Sequence, residues 1–309
     1  MLIPVDHGNR NMKTIHHVFT SGLIENPHML LSENEVIEFG GKTYCLSNER
    51  LLYKRDKTVD FNYFILTLFA IGKEFGTAAK QGMEIYTDGY PHEIELAVGL
   101  PPAHYRSLCD KFKQYLKRSG ALDFIYNGQT YTIEINDVQC YPQAFAAAMT
   151  RYNEEMGKRA NIVDLGGYTA DYIQVVNGKP LIEHSDSLEC GVIHLYHRIM
   201  QEVNCIMDTR LKESDIDMII RGSTHYPEQV VKIVDAQIRE YLDDFTGQLR
   251  ERQIDLRIGQ TVIIGGGGIL LRKYIEQNPR IRNIVFIDDI RANAQGYKLM
   301  YEAMQRRGV

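Results

Sequence analysis

"NIVDLGGYTADYIQVVNGKP", residues 161–180, decides the fold. The apolar pair Ile162 and Val163 ends in Asp164, and two glycines follow at once. Thr169 and Asp171 then lead into a second strand-like run, Tyr172 to Val176. The stretch reads as a β-hairpin with a carboxylate and glycines at its tip. Asp and Gly are common in tight turns, so an ordinary turn accounts for one such hairpin. The pattern occurs twice, however. "IPVDHGNRNMKT" (3–14) matches "NIVDLGGYTADY" (161–172) as strand, Asp, glycine turn, polar residues, strand. Two halves that each open on an Asp-tipped hairpin point to duplication.

Such a hairpin can bind phosphate. Glycine lets backbone N–H groups turn toward an anion without interference from a Cβ. Thr169 in the second hairpin, with Asn9, Asn11 or Thr14 in the first, adds side-chain donors, and Lys13 adds positive charge. Two such hairpins would grip a polyphosphate from both sides. Asp6 and Asp164 would be misplaced beside phosphate unless a cation lay between. Mg²⁺ fits, because it binds one or two carboxylates, often through water, together with phosphate oxygens.

The rest of the chain bounds this reading. Its 309 residues suffice for two domains with real cores. Hydrophobic residues at 44% and charged residues at 24% fit a soluble globular protein. A net charge of -5 and a pI near 6.1 give no nucleic-acid footprint, which calls for a basic domain. No apolar run reaches the ~18 residues of a membrane span. "MLIPVDHGNRNMK" has no secretory pattern, since its apolar part stops at Asp6. The five cysteines are scattered and form no CxxC. They read as free thiols in a reducing cytoplasm, with no structural zinc.

Strands and helices alternate along the chain, so the class is α/β. "MLIPV" (1–5) and "KTIHHVFTS" (13–21) read as strands around the turn "DHGNRN", and residues 33–58 as short strands with turns. "DFNYFILTLFAIGKEF" (60–75) has helical spacing, with Asp60 as a plausible N-cap. "EIELAVGLPP" (93–102) is a buried strand stopped by prolines, and the helix "PAHYRSLCDKFKQYLKRSG" follows it to Gly120. "QTYTIEINDVQCYP" (129–142) reads as strands and "QAFAAAMTRYNEEMGK" (143–158) as a helix. The second half repeats the plan. A hairpin over 161–183 precedes the helix "CGVIHLYHRIMQEV" and a helical region over 226–252. "TVIIGGGGILLRKYIEQ" (261–277) is strand, glycine turn, helix; "NIVFID" is a strand; "ANAQGYKLMYEAMQ" (292–305) closes as a helix.

The four glycines 265–268 let a flat ligand lie against backbone and leave a helix N-terminus open to phosphate. A dinucleotide fold is the competitor, and Asp288 even sits at about the ribose-binding distance of ~20 residues. Yet G-x-G-x-x-G fails in both frames, at Leu270 and at Leu271. A Walker A loop fails as well: "GNRNMKT" (8–14) has Lys13 and Thr14 but no glycine before the lysine.

These elements, in this order, resemble the actin/Hsp70/sugar-kinase superfamily of ATPases. "DHGNRNMK" is similar to its first phosphate loop and "YPQAFAAA" to its first connecting helix. "DLGGYTAD" is similar to the second phosphate loop, "IIGGGG" to the adenosine motif and "ANAQGYKL" to the second connecting helix. "LAVGLPPAHY" matches the family's "GLP" strand end, and the compact "DLGG" loop looks most like the bacterial ParM/StbA branch, whose filaments segregate plasmids. The resemblance spans nearly the whole chain. It implies an actin-like ATPase fold of two duplicated RNase H-like domains around a nucleotide cleft. The first would be 1–157, with 33–58 as a small subdomain and the helix 293–309 packing back on it. The second would be 158–292.

The resemblance also implies roles. Asp6 and Asp164 would organise Mg²⁺, largely through water, around ATP or ADP. Gly8, Asn9, Asn11 and Lys13 would meet the β-phosphate side, and Gly166, Gly167, Tyr168 and Thr169 the β/γ side. Gly265, Gly266, Gly267 and Gly268 would line the nucleoside, with Glu189 approaching the sugar. Gln143 would orient the attacking water, as other water-positioning glutamines do. The best-known ParM carries Glu there, which bears on the rate of hydrolysis rather than on ATP binding. The implied partners are further copies of the chain in a filament and a DNA-binding adaptor, in a bacterial cytoplasm, with neither direct nucleic-acid contact nor membrane.

Two other functions fit the same fold. A small-molecule kinase needs a carboxylate base near its acceptor hydroxyl, for which Asp137 is the one candidate. A nucleotide-binding adaptor with little turnover needs none. His16 and His17 fall on opposite strand faces, and the helical pair His194 and His197 lacks a completing ligand, so neither reads as a metal site. "RLKESDID" (210–217) reads as a solvated segment, and Arg306 with Arg307 is too little charge for nucleic acid.

Overall fold

Val5, Leu96, Val98, Ile162 and Ile263 are all fully or nearly fully buried, because each sits on a strand that is covered on its faces. The computed structural model describes residues 1–27, 35–86 and 89–306. The chain forms two units: Met1–Thr150 together with the segment from Arg291 onward, and Arg151–Ile290.

The first unit opens with the meander β1 (Leu2–His7), β2 (Asn11–Lys13) and β3 (Val18–Thr20). It continues through β4 (Leu23–Glu25), β5 (Val36–Phe39), β6 (Lys42–Leu46), α1 (Asn62–Lys80), β7 (His92–Leu100), α2 (Pro102–Leu116), β8 (Leu122–Tyr126), β9 (Gln129–Pro142) and α3 (Phe145–Met149). Its nine strands among the described residues form one sheet, β3-β2-β1-β7-β9-β8-β5-β6-β4. β1, β7 and β9 run parallel and the others pair antiparallel. Residues 33 and 34 of the expected small subdomain lie outside the described residues; its strands β5 and β6 extend the main sheet through β8.

The second unit holds α4 (Glu154–Lys158), β10 (Arg159–Leu165), β11 (Ala170–Val176), β12 (Lys179–Leu188), α5 (Val192–Met207), α6 (Glu213–Ile220) and α7 (Glu228–Glu251). It ends with β13 (Gln260–Ile264), α8 (Gly265–Leu270), α9 (Arg272–Gln277) and β14 (Ile284–Phe286). Its sheet is β12-β11-β10-β13-β14. The order and strand directions repeat those of β3-β2-β1-β7-β9: an antiparallel meander, then two strands parallel to its first. Val163, Leu165 and Ile263 from this sheet share one core with α5, α6, α7 and α9.

The chain then returns to the first unit as α10 (Ala292–Arg306); residues 307–309 of the expected C-terminal helix lie outside the described residues. The first unit is thereby three layers thick. Leu96, Val98 and Leu100 of β7 join the core of α1 and α2, whereas Ala97 packs with Tyr297 and Tyr301 of α10 on the other face. Gly99 of β7 lies directly under the Tyr297 ring, where any Cβ would overlap it. A buried aromatic ring of this size contributes roughly 1.5–3 kcal/mol of burial energy.

Two elements in the first half of the chain differ from the sequence reading. "KTIHHVFTS" is two strands, not one: Thr14 and His17 close a turn in which Thr14 N–H donates to the His17 carbonyl at 2.9 Å. Buried Glu74 of α1 organises that turn. It accepts from the Thr14 hydroxyl and from the His16 backbone N–H at 3.1 Å, and its second oxygen lies 2.7 Å from His16 Nδ1. The helix expected over 143–158 is broken into α3 and α4, because Asn153 adopts an extended backbone and caps α4 by accepting from Met156 N–H at 2.8 Å.

Candidate functional site

In the first unit, β1 carries Asp6 to the open end of the sheet, opposite Lys13 on β2. Asp6 is only 1% exposed, and both of its carboxylate oxygens are engaged. Lys13 Nζ lies 3.0 Å from Oδ2, and Gln143 Nε2 donates to Oδ1 at 2.9 Å. A buried carboxylate needs such partners, since desolvation otherwise costs more than pairing returns. Gln143 is itself fixed: its N–H donates to the Leu100 carbonyl at 2.9 Å. The next residue, Ala144, takes φ +64° and donates its N–H to Asn293 Oδ1 of α10 at 3.0 Å. Gly8 has no space for a Cβ, which would overlap the Asn11 carbonyl and press on Lys13 Nζ. Ser21 braces the same loop, its hydroxyl donating to the Gly8 carbonyl at 2.6 Å and its N–H to the Arg10 carbonyl at 3.1 Å. Asn9 and Asn11 stand half-buried at the tip.

His7, between Asp6 and Gly8, is fully buried against Phe112, with Nε2 2.8 Å from Thr67 Oγ1. Burial, reinforced by Lys57, pushes its pKa down to about 3, so the ring is neutral. Lys57 is buried as well and donates to the His7 carbonyl.

In the second unit, Asp164 of β10 faces Asp171 of β11 across the ladder, where the first hairpin has Asp6 facing Lys13. The loop after Asp164 is tied to the start of α5. Gly191 N–H donates to the Tyr168 carbonyl at 2.8 Å, Val192 N–H to Gly166 at 3.1 Å and Ile193 N–H to Gly167 at 2.9 Å. In a trans peptide the N–H points away from the C=O. The amides of Gly167, Tyr168 and Thr169 therefore face away from α5, as a row of donors of the kind that binds anions. Gly166 N–H closes the loop on the Thr169 carbonyl at 2.9 Å. Gly265, at φ +87°, lies against Asp164: a Cβ there would strike Oδ1 of the carboxylate and the Leu165 carbonyl. Gly267 packs on Val192 and the Leu165 carbonyl, and Gly268 on Ile263, whereas Gly266 has open space around its Cα. These glycines are the first turn of α8, not a separate turn before a helix. Glu189 is exposed, just ahead of Gly191.

A family model described as "Actin like proteins N terminal domain" matches residues 4–145, and one described as "Archaeal actin homologue MreB-like, C-terminal" matches residues 162–277. Both halves of the chain are therefore actin-like. Solved structures agree on the fold of this actin-like protein. The archaeal actin homologue Ta0583 in complex with ADP is 16% identical with a TM-score of 0.72, over 98% of this chain and 99% of the other. The Alp12 filament structure is 15% identical with a TM-score of 0.69, over 98% of each chain. Bacillus thuringiensis ParM with ATP is 14% identical with a TM-score of 0.64, over 99% of each. No curated protein matches the sequence.

In this actin-like protein, the first unit brings Asp6, Gly8, Lys13 and Gln143 into one cluster with Asn9 and Asn11 beside it. The second gathers Asp164, Gly166, Gly167, Tyr168, Thr169 and Gly265. Asp137, the kinase candidate, accepts from Gln139 Nε2 at 2.9 Å on β9. At ~3.3 Å per strand residue it stands roughly 20 Å up the strand from Gln143. Sequence reading missed Gly191, Ser21, His7 and Lys57. Gly191 was the findable one, since it directly precedes a helix in a chain already rich in glycine contacts. A Cβ there would overlap the Gly167 carbonyl. Among the described residues no helix is long and apolar enough to cross a membrane.

Proposed function

We propose that this actin-like protein is an ATPase that polymerises into filaments when it binds Mg·ATP, and that the filaments move a plasmid or other mobile DNA through a DNA-binding adaptor in a bacterial cytoplasm. Residues 1–157 with 293–309 form one actin-like domain in this reading, and 158–292 the other. The observation that carries it is the loop after Asp164, whose Gly166, Gly167 and Tyr168 carbonyls all bond the start of α5 and so turn the following amides the other way, on the loop that corresponds to Gly8–Lys13 in the duplicated half.

The donor chemistry fits a magnesium nucleotide. Asp6 is already bound by Lys13 and Gln143, so it would act on the cation through water, and Asp164 would do so largely through water as well. When bound, ATP would supply the phosphoanhydride and Mg²⁺ the positive charge that offsets Asp6 and Asp164. Lys13, Asn9, Asn11 and the Gly8 loop would hold the β-phosphate side; the amides of Gly167 to Thr169 would hold the β/γ side; Gly265 to Gly268 would lie along the nucleoside with Glu189 near the sugar. Gln143, its amide nitrogen committed to Asp6, keeps its carbonyl oxygen for a water proton. A neutral amide orients that water without acting as a strong base. Hydrolysis would then shift the population of assembly-competent subunits.

The adenine nucleotides and filament named for the structural neighbours support this reading. Asp137 lies well up its strand from Gln143, which disfavours the kinase alternative. Negative-stain microscopy and pelleting at tens of micromolar protein, with and without Mg·ATP, test the proposal. Filaments only with Mg·ATP are expected. Tight ATP binding without filaments or phosphate release would replace it with the adaptor reading.

A further inference from the structure

Ala144 is fully buried and sits at φ +64°, ψ −54°, between the end of β9 and the start of α3. Around it the Phe145 N–H donates to the Gln143 carbonyl at 2.7 Å, which closes a three-residue γ-turn. This hand of the γ-turn is rare and strained, since a residue with a Cβ reaches positive φ only against steric resistance. Among the described residues, the other non-glycine residues at positive φ are Asn, Asp or Gln. Asn and Asp offset that resistance with a polar side chain that bonds nearby backbone, and alanine has none to offer. A conformation of this kind persists only where its surroundings hold it.

What holds it comes from far along the chain. Asn293, buried in the first turn of α10, accepts from the Ala144 N–H at 3.0 Å through Oδ1. α10 is seated for the task on both sides. Gly296 lies so close to the Ala146 carbonyl that any Cβ would overlap it, and Arg291 Nη1 donates to the Ile15 carbonyl at 3.1 Å. Positions 293 and 296 share one face of the helix, so the close approach at Gly296 brings Asn293 within reach of the turn.

We propose that Asn293 is a positioning residue for Gln143, holding the Ala144 γ-turn closed so that the Gln143 side chain stays aimed beside Asp6. The inference rests on the ATPase reading above, in which Gln143 orients water. Gln143 has three anchors of its own. Its N–H donates to the Leu100 carbonyl at 2.9 Å, its carbonyl accepts from Phe145, and its Nε2 donates to Asp6 Oδ1 at 2.9 Å. The peptide that joins it to Ala144 is fixed by Asn293 through the Ala144 N–H. Released, Ala144 would relax toward negative φ, where alanine is unstrained, and the Gln143–Ala144 peptide would rotate with it. Displacing an orienting group by as little as ~1 Å can cost about 10²-fold in rate. Asn293 meets neither nucleotide nor water in this scheme and acts through Ala144 alone.

The full chain tests this, with single-turnover phosphate release from Mg·ATP for the rate and a fluorescent-nucleotide titration for the affinity. Asn293→Ala should slow release about tenfold or more and leave affinity within about threefold, because the nucleotide contacts are untouched. Asn293→Asp keeps an acceptor oxygen at the same length, in a first helical turn where a carboxylate is favoured, and should stay within about threefold of the unaltered rate. Glycine takes positive φ freely, so Ala144→Gly added to Asn293→Ala should recover most of the lost rate. If Asn293→Ala does not fold, Asn293→Ser, whose hydroxyl stops short of the Ala144 amide, takes its place. An unchanged rate in Asn293→Ala, a loss of affinity alone, a loss as large in Asn293→Asp, or no recovery with Ala144→Gly would each overturn the proposal. An unaltered chain that releases no phosphate would remove the ATPase reading, and the proposal with it.

Discussion

Gln143 and Asp6 meet across most of the first unit's sequence in one buried hydrogen bond, Nε2 to Oδ1 at 2.9 Å. That bond ties the residue proposed to aim water to the residue proposed to steady the cation. Gln143→Ala should leave ATP affinity within about threefold while lowering phosphate release about 10²-fold, the lower range for loss of a positioned proton-handling group. Fluorescent-nucleotide titration and single-turnover phosphate release separate the two effects. A large loss of affinity with turnover preserved would show that Gln143 only braces Asp6.

Gly265 and Gly266 are adjacent yet make opposite demands. Gly265→Ala places a Cβ into Asp164 and the Leu165 carbonyl at φ +87°, and should cost at least about 2 kcal/mol. Gly266→Ala meets nothing within 4 Å and lies in α8, so it should be neutral or more stable by up to ~1 kcal/mol. Thermal unfolding of the two variants side by side checks the contrast. Equal destabilisation would contradict it.

At the start of α5, Gly191→Ala drives a Cβ into the Gly167 carbonyl and must rotate the loop whose amides face outward. Nucleotide affinity should fall more than about tenfold, or ~1.4 kcal/mol. Glu189→Ala removes an exposed side chain two residues away and should change affinity by no more than about threefold. Isothermal titration with ADP gives both values.

His7 predicts an acid response. Its folded pKa is depressed to about 3 from an ordinary value of 6.5, so below 6.5 the unfolded chain binds a proton that the folded chain refuses. Stability contributed by the neutral ring is therefore complete above pH 6.5 and is lost as pH falls toward 3, by on the order of 1.4 kcal/mol per unit. His17 is shifted the same way by burial, with Glu74 opposing. Urea midpoints between pH 7 and 5, before the carboxylates titrate, should slope downward, and His7→Asn should flatten most of that slope. An unchanged slope in the variant would assign the proton elsewhere.

Much of this was legible because backbone chemistry leaves marks in sequence. Asp6 and Asp164, each ahead of a glycine turn, marked the two hairpins, and the prolines at 101 and 102 marked the end of β7 and the start of α2. The five-strand order common to both units follows from that duplication. What stayed hidden was set by contacts distant in sequence. Nothing near His16 shows that Glu74, on another element, folds residues 14–17 into a turn. The glycines 265–268 also answer a demand invisible in sequence, since Gly265, Gly267 and Gly268 sit closely against Asp164, Leu165, Val192 and Ile263.

The return of α10 to the first unit has a consequence for synthesis. Residues 151–290 are continuous, so that unit has all its strands and helices as soon as they leave the ribosome. The first unit, begun earlier, must wait for Asn293 to cap the Ala144 amide, for Gly296 to seat on Ala146 and for Tyr297 to cover Gly99. The older half of this chain is the later to mature, and a polypeptide truncated before Arg291 would carry a complete second unit behind a first still open along one face of its sheet.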